Sequence, residues 1–413
     1  MPSKAKPSEA LNAPGQARAV QIEKLVYGGD GLGRIDGQVV LAPYVLPGEQ
    51  VSMAVARAQT GLLRGRSLEI VEASAHRVEP RCEYFGTCGG CQYQHSDYGF
   101  QIAQKIAILQ ETLRRVGGLS YEAEIPAITG HPWFYRNRIQ LHFKEDQVGF
   151  HKPGSHDLCA VDHCCIASHL LVEAIGRIRD SVRRPQWPKF LRSLELFTND
   201  AELQMNVLDS TRPVAARFFE WCRSFLPSLL PGALEYPAAG HSFRISGGSF
   251  FQVNRYLMEA LVNEVIAGTS GEVGLDLYAG VGLFSLPLAT RLQRVYAVER
   301  GKSASRDLEH NAQASEGRIQ VVRNSAERFL SSYQGQRIDV LVVDPPRAGL
   351  GPEMTDAIVS ARAERLKIIS CDPATLARDL PKMLATYEIE RLALVDLFPQ
   401  TYHFETVAHL RRK

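Results

Sequence analysis

Short runs of alternating apolar and polar positions open the chain: VQIEKLV, QVVLAPYVL, QVSMAVARA and RSLEIVEA, separated by glycine-rich turns such as YGGDGLGRIDG. Several short strands so close together predict a small barrel. From Tyr98 to Val116 the period lengthens. Phe100, Ile102, Ile106, Leu109, Leu113 and Val116 fall at helical spacing, and Gly117-Gly118 closes the run. After Trp133 strand-like runs return (RIQLHF, DQVGFH, SLELFT, AELQMNVL), with a helix expected over 169–182, so this region reads as α+β. From about Gly247 the pattern alternates. Helices are expected over 252–267, 284–291, 302–314, 353–361 and 373–385, interleaved with the strands EVGLDL, RVYAVE, IQVV, IDVLVVD and LKIIS. Strands that are apolar throughout and sit between helices predict an α/β, doubly wound parallel sheet covered on both faces.

These shifts divide the 413 residues into a flexible tail (1–16), a barrel (17–75), a central α+β domain (76–246) and the doubly wound domain (247–413). No apolar run approaches the ~20 residues of a membrane span, and the N-terminus lacks the apolar core of a signal peptide. The expectation is a cytoplasmic monomer with no membrane partner. Lys and Arg number 47 against 45 Asp and Glu, a net charge of +2, which excludes a nucleic-acid binder resting on gross cationic excess and leaves local patches. Two stand out. Trp133-Phe134-Tyr135-Arg136-Asn137-Arg138 interleaves aromatics with arginines, either to stack unpaired bases or as core aromatics beside solvated charges. Arg177, Arg179, Arg183, Arg184, Lys189 and Arg192 form a phosphate track or an ordinary solvated helix face.

In a doubly wound sheet, ligands bind beyond the carboxyl ends of the strands. Three segments there carry unusual chemistry. In Leu275-Asp276-Leu277-Tyr278-Ala279-Gly280-Val281-Gly282, Gly280 and Gly282 let the backbone approach a ligand, and Glu299 closes the next strand where it can bind ribose hydroxyls. The absence of a third glycine favours S-adenosylmethionine over NAD. Asp344-Pro345-Pro346-Arg347 must turn, with Asp344 at its tip. Cys371, in Ser370-Cys371-Asp372-Pro373, ends LKIIS just before a helix, whose dipole is expected to lower the thiol pKa and make a nucleophile; the alternative is a buried, inert thiol.

The eight cysteines are not expected to form disulfides in a reducing compartment. Cys82, Cys88 and Cys91 crowd into CEYFGTCGGC, with Cys159, Cys164 or Cys165 available as a fourth ligand. Three close thiols and one distant partner favour an iron–sulfur cluster over zinc, with unliganded thiols the remaining reading. The five-residue first gap and the fourth cysteine favour a closed structural cluster over a radical initiator.

Gly-x-Gly, DPPRAGL, SCDPATLARDL and FPQTYHFETVAHL, in this order, resemble the RNA uracil-C5 methyltransferase family, and YGGDGLGRIDGQVVLAPYVLPGE resembles its OB-like, RNA-binding TRAM domain. The resemblance runs from about residue 17 to the end. It implies transfer of a methyl group from S-adenosylmethionine to C5 of a uridine in structured RNA, with Cys371 as nucleophile and Glu405 as general base. It places cofactor contacts on Gln252, Tyr278, Glu299, Asn324 and Asp344; Leu283 departs from the family's asparagine. It also implies a 4Fe-4S cluster on Cys82, Cys88, Cys91 and Cys164, although Cys165 replaces the usual proline. The barrel and cysteine motif together are most similar to members modifying 23S rRNA; the tRNA T-loop is the second RNA target. A competing reading from another class is a non-catalytic, iron–sulfur RNA-binding or redox-sensing protein.

Overall fold

A computed structural model describes residues 17–57 and 62–413; the tail expected at 1–16 lies outside the described residues. The chain forms two compact units, the first running to Ile108 and including Lys152–Ser155 and Phe398–His403, the second comprising the rest. In the first unit β1 (Arg18–Leu25), β2 (Asp30–Ile35), β3 (Gln38–Pro43), β4 (Gln50–Arg57) and β5 (Leu63–Glu72) close into a barrel in the order β1-β2-β3-β5-β4. Alternate positions point inward, so Val20, Ile22, Val40, Ala42, Val51 and Met53 form its core. β2 occupies a segment whose glycines read as a turn. A Cβ at Gly33 would lie 2.6 Å from the Gln21 carbonyl oxygen, so glycine there permits close strand approach. Below the barrel the buried Glu49 accepts from Arg77 Nε (2.5 Å), Arg77 Nη2 (2.8 Å) and Leu46 N (2.8 Å).

Helix α1 (Tyr98–Gly117) begins in the first unit and ends in the second. The second unit continues with β6 (Ala127–Ile128), β7 (Arg138–Lys144), β8 (Gln147–His151), β9 (Leu158–Ala160), α2 (His169–Ser181), β10 (Leu191–Thr198), β11 (Leu203–Ser210), α3 (Ala216–Arg223), β12 (Leu234–Ala238) and β13 (His241–Ile245). β11-β10-β7-β8-β9 form one antiparallel sheet and β12-β13 a hairpin. Arg138 pairs with Glu195 across β7 and β10 at 3.0 Å and lies over the Phe197 ring, 4.2 Å from its centroid.

The doubly wound part holds α4 (Met258–Val265), β14 (Val273–Leu277), α5 (Ser285–Ala289), β15 (Arg294–Val298), α6 (Lys302–Ala312), β16 (Ile319–Val322), α7 (Ala326–Ser332), β17 (Val340–Val343), α8 (Gly351–Ala361), β18 (Arg365–Ser370), α9 (Pro373–Met383), β19 (Tyr387–Val395) and β20 (Glu405–Arg412). The sheet order is β16-β15-β14-β17-β18-β20-β19-β6. The first five strands are parallel, as expected from their apolar runs, but β20 enters antiparallel between β18 and β19. The helix expected over 252–267 starts only at Met258. Asn254 delays it: its Oδ1 accepts from Tyr256 N (3.0 Å) and its Nδ2 donates to the Leu397 carbonyl (3.1 Å), a local alternative to helical bonding. No described helix is long and apolar enough to cross a membrane.

Candidate active site

Register alone gathers the first group of residues. Leu277 pairs with Val298 on one side and Val343 on the other, so Tyr278, Glu299 and Asp344 follow in line past the carboxyl ends of β14, β15 and β17. The chain then turns sharply. Tyr278 takes a left-handed φ of 60°, Gly280 and Gly282 follow at 57° and 99°, and a Cβ at Gly282 would meet Leu308 at 2.8 Å. Glu299 fixes the turn: Gly280 N donates to its Oε2 (3.0 Å) and Gly301 N to its Oε1 (2.5 Å).

Beneath the turn sits Asp276, an acid in an otherwise apolar strand whose place in the sequence does not by itself mark it as a site residue. It is fully buried; its Oδ2 accepts from Ser285 Oγ at 2.5 Å and its Oδ1 has no hydrogen-bond partner among the described residues. Burial, with smaller contributions from Asp344 and Glu299, pushes its carboxyl up to about 7. Desolvation does the same to Asp344. Three carboxyl groups on neighbouring strands, an unpaired buried oxygen, and open space at Gly280, where an added Cβ would meet nothing within 4 Å, fit a ligand that carries positive charge and sugar hydroxyls. S-adenosylmethionine has both.

The other expected contacts flank this turn. Gln252 is buried, and its segment is held by Asn137, whose Nδ2 donates to the Gln252 carbonyl (3.1 Å) and whose N donates to the Val253 carbonyl (2.9 Å). Asn324 precedes α7, its Oδ1 accepting from Ser325 N at 2.9 Å. Asn137 carries no sequence signal beyond its place in the aromatic–arginine run.

Cys371 and Glu405 come together through β18 and β20. Ile369 pairs with Val407 and Ser370 with Thr406, so Cys371 and Glu405 are the residues that follow the last rung on either strand, and the charge of Glu405 acts on the thiol. The expectation of a lowered thiol pKa is overturned. Burial first, then the charge of Glu405, push Cys371 up to about 12; Asp344 and Asp372 add to this and Arg347 opposes it. The helix dipole does not rescue the thiol because Asp372 already caps α9, accepting from Ala374 N (2.8 Å) and Thr375 N (3.3 Å). Glu405 is itself buried, and burial followed by Asp344 raises its carboxyl well above the usual range, again against Arg347. Burial thus disfavours the charged form of both the thiol and the acid, with Arg347 as the charge favouring ionisation of either.

Other expectations fare differently. In the first unit, Cys91 is buried and Cys82 and Cys88 half-buried. Their loop is held by Cys82 N donating to Gln94 Oε1 (3.0 Å), Cys88 N to the Tyr84 carbonyl (2.8 Å) and Gln92 Nε2 to the Gly89 carbonyl (2.9 Å). Among the described residues no group of three or more His, Cys, Asp or Glu side chains is placed to hold a metal. The 4Fe-4S cluster expected on Cys82, Cys88, Cys91 and Cys164 gains no support from this, and polar contacts hold the loop of the first three. In the second unit Cys164 is half-buried and Cys165 buried.

The aromatic–arginine run is divided between the two readings. Tyr135, Asn137 and Arg138 are buried while Trp133, Phe134 and Arg136 are half-buried. The basic run is largely neutralised. Arg177 pairs with Glu173 (2.6 Å), Arg179 with Asp162 and Asp180 (both 3.0 Å), Lys189 with Asp146, and Arg192 with Asp209 (3.8 Å).

Comparison with known proteins finds relatives along nearly the whole chain. Residues 233–413 match the model of the tRNA (uracil-5-)-methyltransferase family, and residues 13–68 match the TRAM domain. An uncharacterized RNA methyltransferase of Aquifex aeolicus is 33% identical over 95% of this chain and 98% of its own length. One from Streptomyces avermitilis is 32% identical over 96% and 98%. Among solved structures, the tRNA (uracil-54, C5)-methyltransferase of Pyrococcus abyssi in complex with S-adenosyl-L-homocysteine shares the fold, with a TM-score of 0.72 at 24% identity over 95% of this chain and all of that one.

Proposed function

The chain belongs to the S-adenosylmethionine-dependent RNA uracil-C5 methyltransferase family, and from that premise we propose that it converts a specific uridine of 23S rRNA to 5-methyluridine with Cys371 as nucleophile and Glu405 as general base. The observation that carries the reading is that Cys371 and Glu405 flank the last rung between β18 and β20, with the charge of Glu405 acting on the thiol, in a sheet whose neighbouring strand ends hold Asp344, Tyr278 and Glu299.

Uracil C5 is too weak a nucleophile to be alkylated directly. Cys371 Sγ, once deprotonated, adds to C6; the C5–C6 double bond becomes an enolate with electron density at C5. Bound S-adenosylmethionine supplies an electrophilic methyl group at this point, and Gln252, Tyr278, Gly280, Gly282, Glu299, Asn324 and Asp344 are the residues proposed to hold it. Glu405, ionised, then removes the C5 proton, and the electron pair reforms the double bond as the Cys371 sulfur leaves. Arg347 favours the ionised form of both side chains, which burial otherwise disfavours. A uridine must be unstacked to bring C6 to the half-buried thiol.

Incubation with 5-fluorouridine-substituted RNA and S-adenosylmethionine tests the chemistry. Fluorine at C5 cannot leave as a proton does, so a covalent adduct should persist, and Cys371→Ser should abolish it. No adduct from folded protein overturns the mechanism. The RNA target rests on the barrel and cysteine motif; the tRNA T-loop is the second reading, favoured by the fold shared with the Pyrococcus enzyme. Mapping 5-methyluridine in a strain lacking the gene separates them, since loss confined to tRNA rejects 23S rRNA. The iron–sulfur cluster stays a proposal carried by the spacing of Cys82, Cys88 and Cys91, with Cys164 assigned from the resemblance alone. Brown absorbance and stoichiometric iron in anaerobic protein are expected; colourless protein holding zinc or no metal rejects it.

A further inference from the structure

Tyr278 is held at both ends. Its backbone sits at a φ of 60°, a left-handed conformation that side-chain-bearing residues adopt rarely and only where their surroundings compel it. Its hydroxyl reaches across 49 residues of sequence to donate to Glu327 Oε1 at 2.6 Å. Glu327 stands in the first turn of α7, a helix whose cap Ser325 accepts from Arg328 N (3.3 Å) and is itself bonded to Asn324 (2.9 Å). Tyr278 and Asn324 are both proposed cofactor contacts. A single carboxylate thus ties the turn after β14 to the α7 entrance.

We propose that Glu327 is a positioning residue for the cofactor site: it fixes the Tyr278 ring and, with it, the spacing between Tyr278 and Asn324 into which S-adenosylmethionine binds. The inference rests on the cofactor reading of Tyr278 given above. A carboxylate suits the task. Its neighbour Arg300 acts on both it and Tyr278, and the Tyr278 hydroxyl is the strongest of the influences that keep Glu327 ionised against partial burial. An ionised acceptor makes the stronger bond to a phenol. The contact orients the ring without touching the reacting atoms, so its loss belongs in cofactor affinity and not in the methyl-transfer step.

The test compares Glu327→Ala, Glu327→Gln, Tyr278→Phe, Tyr278→Ala and the double variant Glu327→Ala/Tyr278→Phe, measuring the Kd for S-adenosylmethionine by equilibrium dialysis alongside kcat and KM. Glu327→Ala should raise both Kd and KM about tenfold while kcat at saturating cofactor changes less than twofold. Tyr278→Phe should match its loss of affinity. The double variant should be no worse than either single one, because both remove the same bond. Glu327→Gln, whose amide oxygen still accepts, should recover most of the affinity and serves as the reading if the alanine variant does not fold. Unchanged Kd in Glu327→Ala, or in a folded Glu327→Gln where the alanine does not fold and Tyr278→Phe also binds normally, overturns the proposal, as do multiplying losses in the double variant. If Tyr278→Ala also binds normally, it is the cofactor reading of Tyr278 that fails; if that variant alone is impaired, only the positioning role does.

Discussion

Cys371, the proposed nucleophile, is held toward its protonated form. With its thiol pushed up to about 12, the thiolate fraction near neutral pH is small and rises about tenfold per pH unit. Alkylation by iodoacetamide in the absence of RNA should therefore be slow at pH 7 and climb about tenfold per unit to pH 9; a plateau below pH 8 would contradict a raised pKa. Asp276 makes the opposite kind of prediction. Its folded pKa, about 7, lies above the ~3.9 of an unfolded aspartate, so its favourable contribution is complete below pH 4 and is lost as pH rises through 7. At about 1.4 kcal/mol per unit the loss is of order 4 kcal/mol at most. Asp276→Asn should melt a few degrees above the parent at pH 8.5 and not at pH 5, and an equal shift at both values would remove ionisation as the cause. Both residues teach how far local sequence reaches. Cys371 was legible from its place after an apolar strand. Its protonation was not, because the Asp372 cap and the charge of Glu405 both depend on structure the strand does not encode. Glu405 is one carboxylate among many until the pairing of β18 with β20 brings its charge to bear on Cys371.

Secondary elements decide what the helix after Cys371 can contribute. Asp372 uses the N-terminus of α9 for its own cap and adds a negative charge beside the thiol. Asparagine caps about as well as aspartate but carries no charge. Asp372→Asn should keep the parent melting temperature and alkylate several-fold faster at pH 8, while Asp372→Ala should lose about 1 kcal/mol of stability. Equal reactivity of Asp372→Asn and the parent would show that the dipole and cap are irrelevant to the thiol. The same level explains which elements the pattern misses. β2 hides behind glycines that serve packing, and α7 is a seven-residue helix too short to display a period. The helix expected from Gln252 is cut back by the side-chain bonds of Asn254. In each case a local preference yields to a partner distant in sequence: Gln21 for Gly33, Tyr278 for Glu327, Leu397 for Asn254. The long parallel strands β14, β15, β17 and β18 carried their own evidence because burial on both faces demands apolar residues throughout.

At the scale of the whole molecule, charge is nearly balanced, +2 over 413 residues, and the structure balances it locally as well. Arg177, Arg179, Lys189 and Arg192 each have an acidic partner in the second unit, leaving Arg183 and Arg184 as the members of that run with no ion pair among the described residues. Binding that neutralises Z phosphates of a single strand weakens with salt at a log–log slope of roughly −0.7Z. If the entire run tracked phosphates, the slope would approach about −4; if only Arg183 and Arg184 contribute from this face, together with one or two groups such as Arg136, it should stay between about −2 and −3. Titrating a uridine-rich single-stranded RNA against potassium chloride measures this. Arg183→Glu/Arg184→Glu should weaken binding and flatten the slope by about one to two, whereas Arg177→Ala/Arg192→Ala should change neither by much, since those side chains must first leave Glu173 and Asp209. Equal losses from the two pairs would mean that the ion pairs open on RNA binding and that the whole face is the phosphate track. A slope that shallow would leave selection of the target uridine to shape and base contacts, which suits an enzyme that has to release each RNA after a single methyl transfer.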